Sequence, residues 1–322
     1  MTNYPVRYRD LIDAEIWSFI EKTESFYPAD AVDGSVDYQR RVYNQMCQAF
    51  TESYPKGIDA SESSLQSRSA DGQIAYVKQR CYTSSKTNDD CVVLYFHGGG
   101  FVVGDLDSHD SVCADICDST HLRVVSTDYR LLPESSALSA YEDALNAFDH
   151  ACQRHAKIIL CGDSAGANLC AAVAHTDKRR KITHRIDPEK SQLAGQVLIY
   201  PGLGGSLNSA SALEHCEAPM LTRSDVEYYE SLRHSKNCRD YRIRPLKDTD
   251  FSNLPVTHCF SAQCDPLADD GKAYCNRITN AGGTAHFTCE QGLVHGYLRA
   301  RHCSSRALLS FNRICAAISA LT

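Results

Sequence analysis

Six short apolar runs alternating with helical patterns constrain this chain more than any other feature. The runs are "CVVLYF" (91–96), "LRVVSTDY" (122–129), "KIILCG" (157–162), "GQVLIYP" (195–201), "PVTHCFSAQ" (255–263) and "TAHFTCE" (284–290). Helical patterns fall at roughly 108–119, 139–155, 165–176, 267–281 and 304–320. Runs this short and this apolar suit strands buried on both faces. Alternation with helices then implies a parallel sheet covered on each side. Upstream, "SSLQSRSADGQIAYVKQRCY" (63–82) reads as a hairpin turned at Asp71-Gly72, which makes the sheet mixed. The expected fold class is α/β.

Two regions depart from the alternation. The first fifty or so residues read as helices. "RDLIDAEIWSFIEKTESF" sets Leu11, Ile12, Ile16, Phe19 and Ile20 on one stripe, and "SVDYQRRVYNQMCQAF" is a second amphipathic stretch. The segment 202–252 is polar, carries Gly202, Gly204 and Gly205, and includes the helix-like "TRSDVEYYESLRHS". Inserted between two strands, it is placed to shape a pocket. The expected organisation is therefore a helical cap portion at 1–55, core at 56–203, a cap insertion at 204–252 and core again at 253–322. There is no internal repeat and no low-complexity tract.

Composition removes several function classes. The formal charge of −7 argues against nucleic acid or an anionic membrane as the main partner. No segment approaches the roughly 18 consecutive apolar residues of a membrane span. The N-terminus carries Arg7, Asp10, Asp13 and Glu15 without an apolar stretch, unlike a secretory signal. Sixteen cysteines is a high count. Cys91, Cys161, Cys170, Cys259, Cys289 and Cys315 sit in apolar strands or helices, where the thiol acts as a small hydrophobe. Cys113 and Cys117 form a C-x3-C pair with no second pair at ligand spacing, so no metal site is expected. Reduced thiols and a cytoplasmic location are the expectation.

The chemistry starts at "KIILCGDSAGANLCAAVA". Gly162-Asp163-Ser164-Ala165-Gly166 is G-x-S-x-G between a strand and a helix, the context that motif requires. A sharp turn there would expose Ser164 at the N-terminus of the following helix, whose dipole favours negative charge. A serine hydroxyl needs a base, and the base needs an orienting carboxylate. Asp265, in "FSAQCDPLADD", falls just after a strand, with Pro266 preparing the next helix. His295, in "CEQGLVHGYLRA", falls in the loop between the last strand and the last helix, and Gly296 leaves its ring room. Asp269 and Asp270 read as first-turn helix charges. His258 and His286 lie within strands, and His302 begins the last helix.

The stretch "YFHGGGFVVG" (95–104) then acquires a purpose. A phosphate loop would need lysine after Gly104, where Asp105 stands, and the dinucleotide fingerprint fails at Val103. An oxyanion hole remains. Glycine backbone lets N–H groups approach an oxygen that becomes negative in a tetrahedral intermediate. The expected donors are Gly98 or Gly99 and, on the residue after the nucleophile, Ala165. One such donor is worth roughly 3–4 kcal/mol of transition-state stabilisation. His97 is expected to anchor the loop.

Together "HGGGFVVGDLDSHD" (97–110), "DYRLLPE" (128–134), "GDSAGANL" (162–169), "DPLADD" (265–270) and "HGYL" (295–298) resemble the bacterial hormone-sensitive-lipase-like carboxylesterases, nearest to the acetyl-esterase-like members. The resemblance implies an α/β-hydrolase fold with a mostly parallel central sheet and a helical cap. It also implies a serine esterase acting on short acyl groups without cofactor or metal. It assigns Ser164, Asp265 and His295 as triad, Gly98, Gly99 and Ala165 as oxyanion hole, and Asp163 as support for the loops around the site. After "DYRLLPE" the family commonly has a stretch with proline and phenylalanine; here it is "SSALSAYED". A triad does not choose its substrate, so amide, lactone and carbamate cleavage stay open. So does a ligand-binding or regulatory role, although relatives of that kind have lost the histidine that His295 supplies here. The expected partner is a small-molecule ester, and a homodimer is compatible with the chain.

Overall fold

Eight strands form a single sheet in the computed structural model, which describes residues 4–28, 34–184, 192–234 and 237–322. Three helices come first: α1 (Arg7–Leu11), α2 (Ala14–Glu24) and α3 (Val36–Gln48). The hairpin strands β1 (Ile58–Arg68) and β2 (Ile74–Ser84) follow, then β3 (Asn88–Phe96), α4 (Asp110–Thr120) and β4 (Leu122–Thr127). Next are α5 (Ser139–Cys152), β5 (Lys157–Asp163), α6 (Ala165–His184) and β6 (Leu193–Ile199). After α7 (Ala210–Glu214) and α8 (Arg223–Leu232) come β7 (Val256–Cys264), α9 (Ala268–Asn280), β8 (Ala285–Val294) and α10 (Ser305–Ser319).

The strand order is β1-β2-β4-β3-β5-β6-β7-β8. The hairpin joins β4 antiparallel, and the six strands from β4 to β8 run parallel. These six are the apolar runs seen in the sequence. Residues 91–96 of β3 and 158–163 of β5 are all buried, which requires cover on both faces. Helix α5 packs with α6, and α4 packs with α10, each pair lying against the sheet. The hairpin turns at Asp71-Gly72 as expected, with Gly72 at φ +87°.

The N-terminal stripe is broken. Ile12, Ile16, Phe19 and Ile20 are buried together, but the backbone leaves helical geometry at Ile12 and Asp13. Asp13 caps α2 by accepting from the Ile16 amide at 2.9 Å, a local bond that competes with a continuous helix. His302 closes a 3-10 turn (Tyr297–His302) rather than opening α10, which starts at Ser305 with Ser304 as its cap. Asp269 and Asp270 do more than charge the first turn of α9. Asp269 accepts from the Ser211 amide, and Asp270 accepts from those of Leu203 and Gly205, fastening the segment after β6 to α9.

All sixteen cysteines are free thiols, and of the six singled out above all but Cys289 are buried. His258 and His286, neighbours in the β7–β8 register, stack at 4.7 Å on half-buried and exposed surface. No helix among the described residues is long and apolar enough to cross a membrane.

Candidate active site

Parallel strands bring their carboxyl ends to one edge of a sheet, so residues just past β5, β7 and β8 become neighbours. Ser164 sits in the turn between β5 and α6 with φ +51°, a left-handed conformation that is strained for a non-glycine residue. Its amide donates to Ile199 O at 2.9 Å, tying the turn to β6. The turn is tight because α6 leaves directly beneath β3. A Cβ on Gly166 would lie 1.9 Å from Phe96 O, so only glycine fits.

Asp265 is fully buried past β7, and His295 lies in the turn past β8. His295 Nε2 is 2.9 Å from Ser164 Oγ, and His295 Nδ1 is 2.7 Å from Asp265 Oδ2. The other carboxylate oxygen, Oδ1, accepts from the Leu267 amide at 2.8 Å, which fixes the carboxylate plane. An ionised carboxylate only accepts, so Nδ1 carries the proton and Nε2 is left to accept from the serine hydroxyl. The Tyr200 ring, 4.8 Å from the imidazole, supports its other side.

The glycine turn after β3 faces the same space. Val102 and Val103 amides both donate to Gly99 O at 3.0 Å, curling residues 99–103 into a compact turn. Gly99 takes φ +122° and Gly100 φ +62°. Gly98 differs from the expectation for an oxyanion donor. Its amide donates to Asp163 Oδ1 at 2.9 Å, and it is absent from the cavity wall. Gly99, Gly100 and Ala165 do line the cavity, and among the described residues no protein acceptor takes their amide protons. The triplet itself was visible in the sequence, but which of its N–H groups are free depends on the turn's path and on Asp163.

Asp163 organises this edge. Its carboxylate accepts from Tyr95 OH at 2.8 Å, the Gly98 amide and Tyr200 OH at 3.2 Å, and His109 Nε2 lies 3.3 Å away. Burial alone would raise its pKa, but His109 and the Tyr95 hydroxyl outweigh burial and hold the carboxyl well below its usual range. His97 is buried, bonds through Nδ1 to Gly98 O at 2.7 Å and stacks on Tyr129 at 4.3 Å. Burial pushes its imidazole down to about 4, so at neutral pH it is an uncharged strut. Asp105, which excluded the phosphate loop, accepts from the Ser108 amide and Asn44 Nδ2.

Residues outside every motif complete the surroundings. Arg40 of α3 donates to Val102 O and Leu132 O, both at 2.8 Å, and pairs with Glu134, clamping the glycine turn to the helices before the sheet. The stretch after "DYRLLPE" packs through Arg130, which pairs with Asp143 of α5 at 2.8 Å. A cavity of about 560 Å³ lies over Ser164 and His295. Tyr27 and Tyr43 reach it from the N-terminal region, and Leu221 and Tyr229 from the segment between β6 and β7. Among the described residues, no group of three or more His, Cys, Asp and Glu side chains is placed to hold a metal.

A mostly parallel sheet with a strained serine turn at its carboxyl edge defines the α/β-hydrolase class. A family model described as the alpha/beta hydrolase fold matches residues 93–299. The carboxylic ester hydrolase LipN of Mycobacterium tuberculosis is 29% identical over 301 residues, covering 90% of this chain and 77% of that protein. The ethyl acetate hydrolase of Pseudomonas putida is 29% identical over 218 residues, 64% of this chain and 66% of its own. The crystal structure of EstE1, a thermophilic carboxylesterase cloned from a metagenomic library, superposes with a TM-score of 0.80 at 28% identity. It covers 90% of this chain and 98% of that one. The chain belongs to the hormone-sensitive-lipase-like carboxylesterase family of the α/β-hydrolase fold.

Proposed function

We propose that this carboxylesterase hydrolyses esters of short acyl groups through Ser164, His295 and Asp265, by way of an acyl-enzyme. The observation that carries the reading is the unbroken hydrogen-bonded line from Ser164 Oγ through both ring nitrogens of His295 to the buried Asp265 carboxylate. Ser164 Oγ attacks the ester carbonyl carbon while its proton passes to His295 Nε2. The carbonyl oxygen, now negative, accepts from the Gly99, Gly100 and Ala165 amides, beside the positive end of α6. As the tetrahedral intermediate collapses, the bond to the alcohol oxygen breaks and Nε2–H protonates it. Water then repeats the sequence on the acyl-enzyme, giving its proton to Nε2 and releasing the acid and free Ser164. Asp265 holds the Nδ1–H tautomer and stabilises the imidazolium formed in each half.

Residues 1–55 and 204–252 act as the helical cap over the core formed by 56–203 and 253–322. Support comes from the aromatic and aliphatic side chains that both cap segments place on the cavity. The short-acyl preference is supported by the acetyl-esterase-like motifs and by the similarity to a protein named for ethyl acetate. A series of p-nitrophenyl esters tests it. The kcat/KM is expected to peak at acetyl or butyryl and fall toward decanoyl and longer chains. A maximum at palmitoyl would overturn the short-acyl reading.

A further inference from the structure

The cavity wall carries five carboxylates and three guanidinium groups, and their pairing is uneven. Each acid has protein donors. Glu24 accepts from Tyr4 OH, and Asp225 accepts from the Thr222 amide and hydroxyl. Glu230 pairs with Arg244 at 3.2 Å, Asp270 accepts from two amides, and Asp163 accepts from the donors described above. Two guanidinium groups are left with no carboxylate within 4 Å among the described residues: Arg233 and Arg299.

The two differ in what can reach them. Arg233 is 6% exposed, sits over the Phe101 ring at 3.6 Å and donates to Ile243 O at 2.8 Å, its Nε likewise buried without an acceptor. It is sealed into the wall. Arg299 is half-buried and lines the cavity four residues beyond His295. Its Nη1 donates to Tyr43 OH at 3.3 Å, its Nη2 lies 2.6 Å from where a Cβ on Gly296 would stand, and its Nε is buried without an acceptor. One neutral hydroxyl and the Tyr43 ring, 5.6 Å from the guanidinium carbon, are poor compensation for a guanidinium withdrawn from water. Asp163, which feels its charge from a distance, already accepts from three donors.

We propose that Arg299 is a specificity-determining residue that receives a free carboxylate carried by the ester, so the preferred substrates are carboxylate-bearing esters. The proposal rests on the esterase reading of Ser164 and His295 and adds the substrate class to it. A planar guanidinium meets a carboxylate with charge-assisted, two-pronged hydrogen bonds, which a neutral ester cannot supply. Gly296, without a side chain, lets the guanidinium lie close against the backbone next to His295, where a Cβ would collide with Nη2.

Two matched pairs test this: 4-acetoxybenzoate against methyl 4-acetoxybenzoate, and monoethyl glutarate against ethyl pentanoate. The first pair carries the charge on the alcohol side of the scissile bond, the second on the acyl side. The kcat/KM ratio within each pair is divided by the ratio of their rates with imidazole in solution. The wild-type enzyme is expected to favour the charged member of one pair by about 10- to 100-fold. That preference should vanish in Arg299→Met, persist in part in Arg299→Lys and survive in Arg233→Met. Absence of preference in both pairs, its survival in Arg299→Met, or its loss in Arg233→Met would overturn the proposal. Neutral esters turned over without preference sink the Arg299 assignment alone, whereas no turnover of any of the four esters removes the esterase reading with it.

Discussion

Replacing Ser164 with alanine is expected to lower kcat/KM for p-nitrophenyl acetate by about 10⁴-fold or more. The nucleophile is lost while the turn, its bond to Ile199 O and the glycines around it remain. His295→Ala should fall to a similar level, because serine without its base is a weak nucleophile at neutral pH. The double variant should be little worse than either single one, since the two residues act as one unit. Urea denaturation of each variant, run beside the kinetics, separates loss of chemistry from loss of fold. Turnover within about tenfold of wild type in a folded Ser164→Ala would remove Ser164 from the mechanism.

The largest stability effect is expected at Asp163. Asp163→Ala leaves the Tyr95 and Tyr200 hydroxyls, the Gly98 amide and His109 without their shared acceptor in a buried space. The expected cost is about 3–5 kcal/mol, read as a lower urea midpoint. Asp163→Asn, which keeps one acceptor oxygen, should cost less. Activity should drop in both, because Gly98 leads directly into the Gly99–Gly100 turn. The pH dependence follows from the depressed folded-state pKa. Below its unfolded value of about 3.9 the unfolded chain binds the proton more readily than the native one. The stabilisation from Asp163 is therefore complete above that pH and lost as pH falls toward the native value. Asp163→Asn should flatten that acid limb of the stability curve. An Asp163→Ala variant as stable as wild type would show that the four donors find other partners.

Much of the fold was legible because doubly buried strands leave an unbroken apolar signature. Residues 91–96 and 157–162 fall inside β3 and β5, 284–290 overlaps β8 from Ala285 on, and the hairpin turn at Asp71-Gly72 has the geometry its residues demand. The serine turn was legible for a related reason: close approach of α6 to β3 excludes side chains at Gly166, and that exclusion is written as glycine. Asp265 and His295 could be named from their places just after strands, which a parallel sheet brings to one edge.

Other features depend on partners distant in the chain, and sequence carries little sign of them. Whether Gly98 or Gly100 offers a free amide turns on Asp163, 65 residues after Gly98. The break between α1 and α2 turns on one capping carboxylate, Asp13, inside an otherwise continuous apolar stripe. Arg40 is one of many surface-type arginines until α3 is seen against Val102 O and Leu132 O. Arg299 likewise becomes informative only when the cavity's acids are seen to be matched elsewhere.

In the proposed mechanism Ser164 is a nucleophile activated by His295 and Asp265. The most direct test is reaction of the folded protein with a p-nitrophenyl phosphonate ester, which traps an activated serine by displacement of p-nitrophenolate. One equivalent of p-nitrophenolate is expected to be released per chain, with the phosphonyl group found by mass spectrometry on the peptide containing Ser164. Ser164→Ala and His295→Ala should remain unlabelled. Stoichiometric labelling at another residue, or equal labelling of the Ser164→Ala variant, would contradict the mechanism.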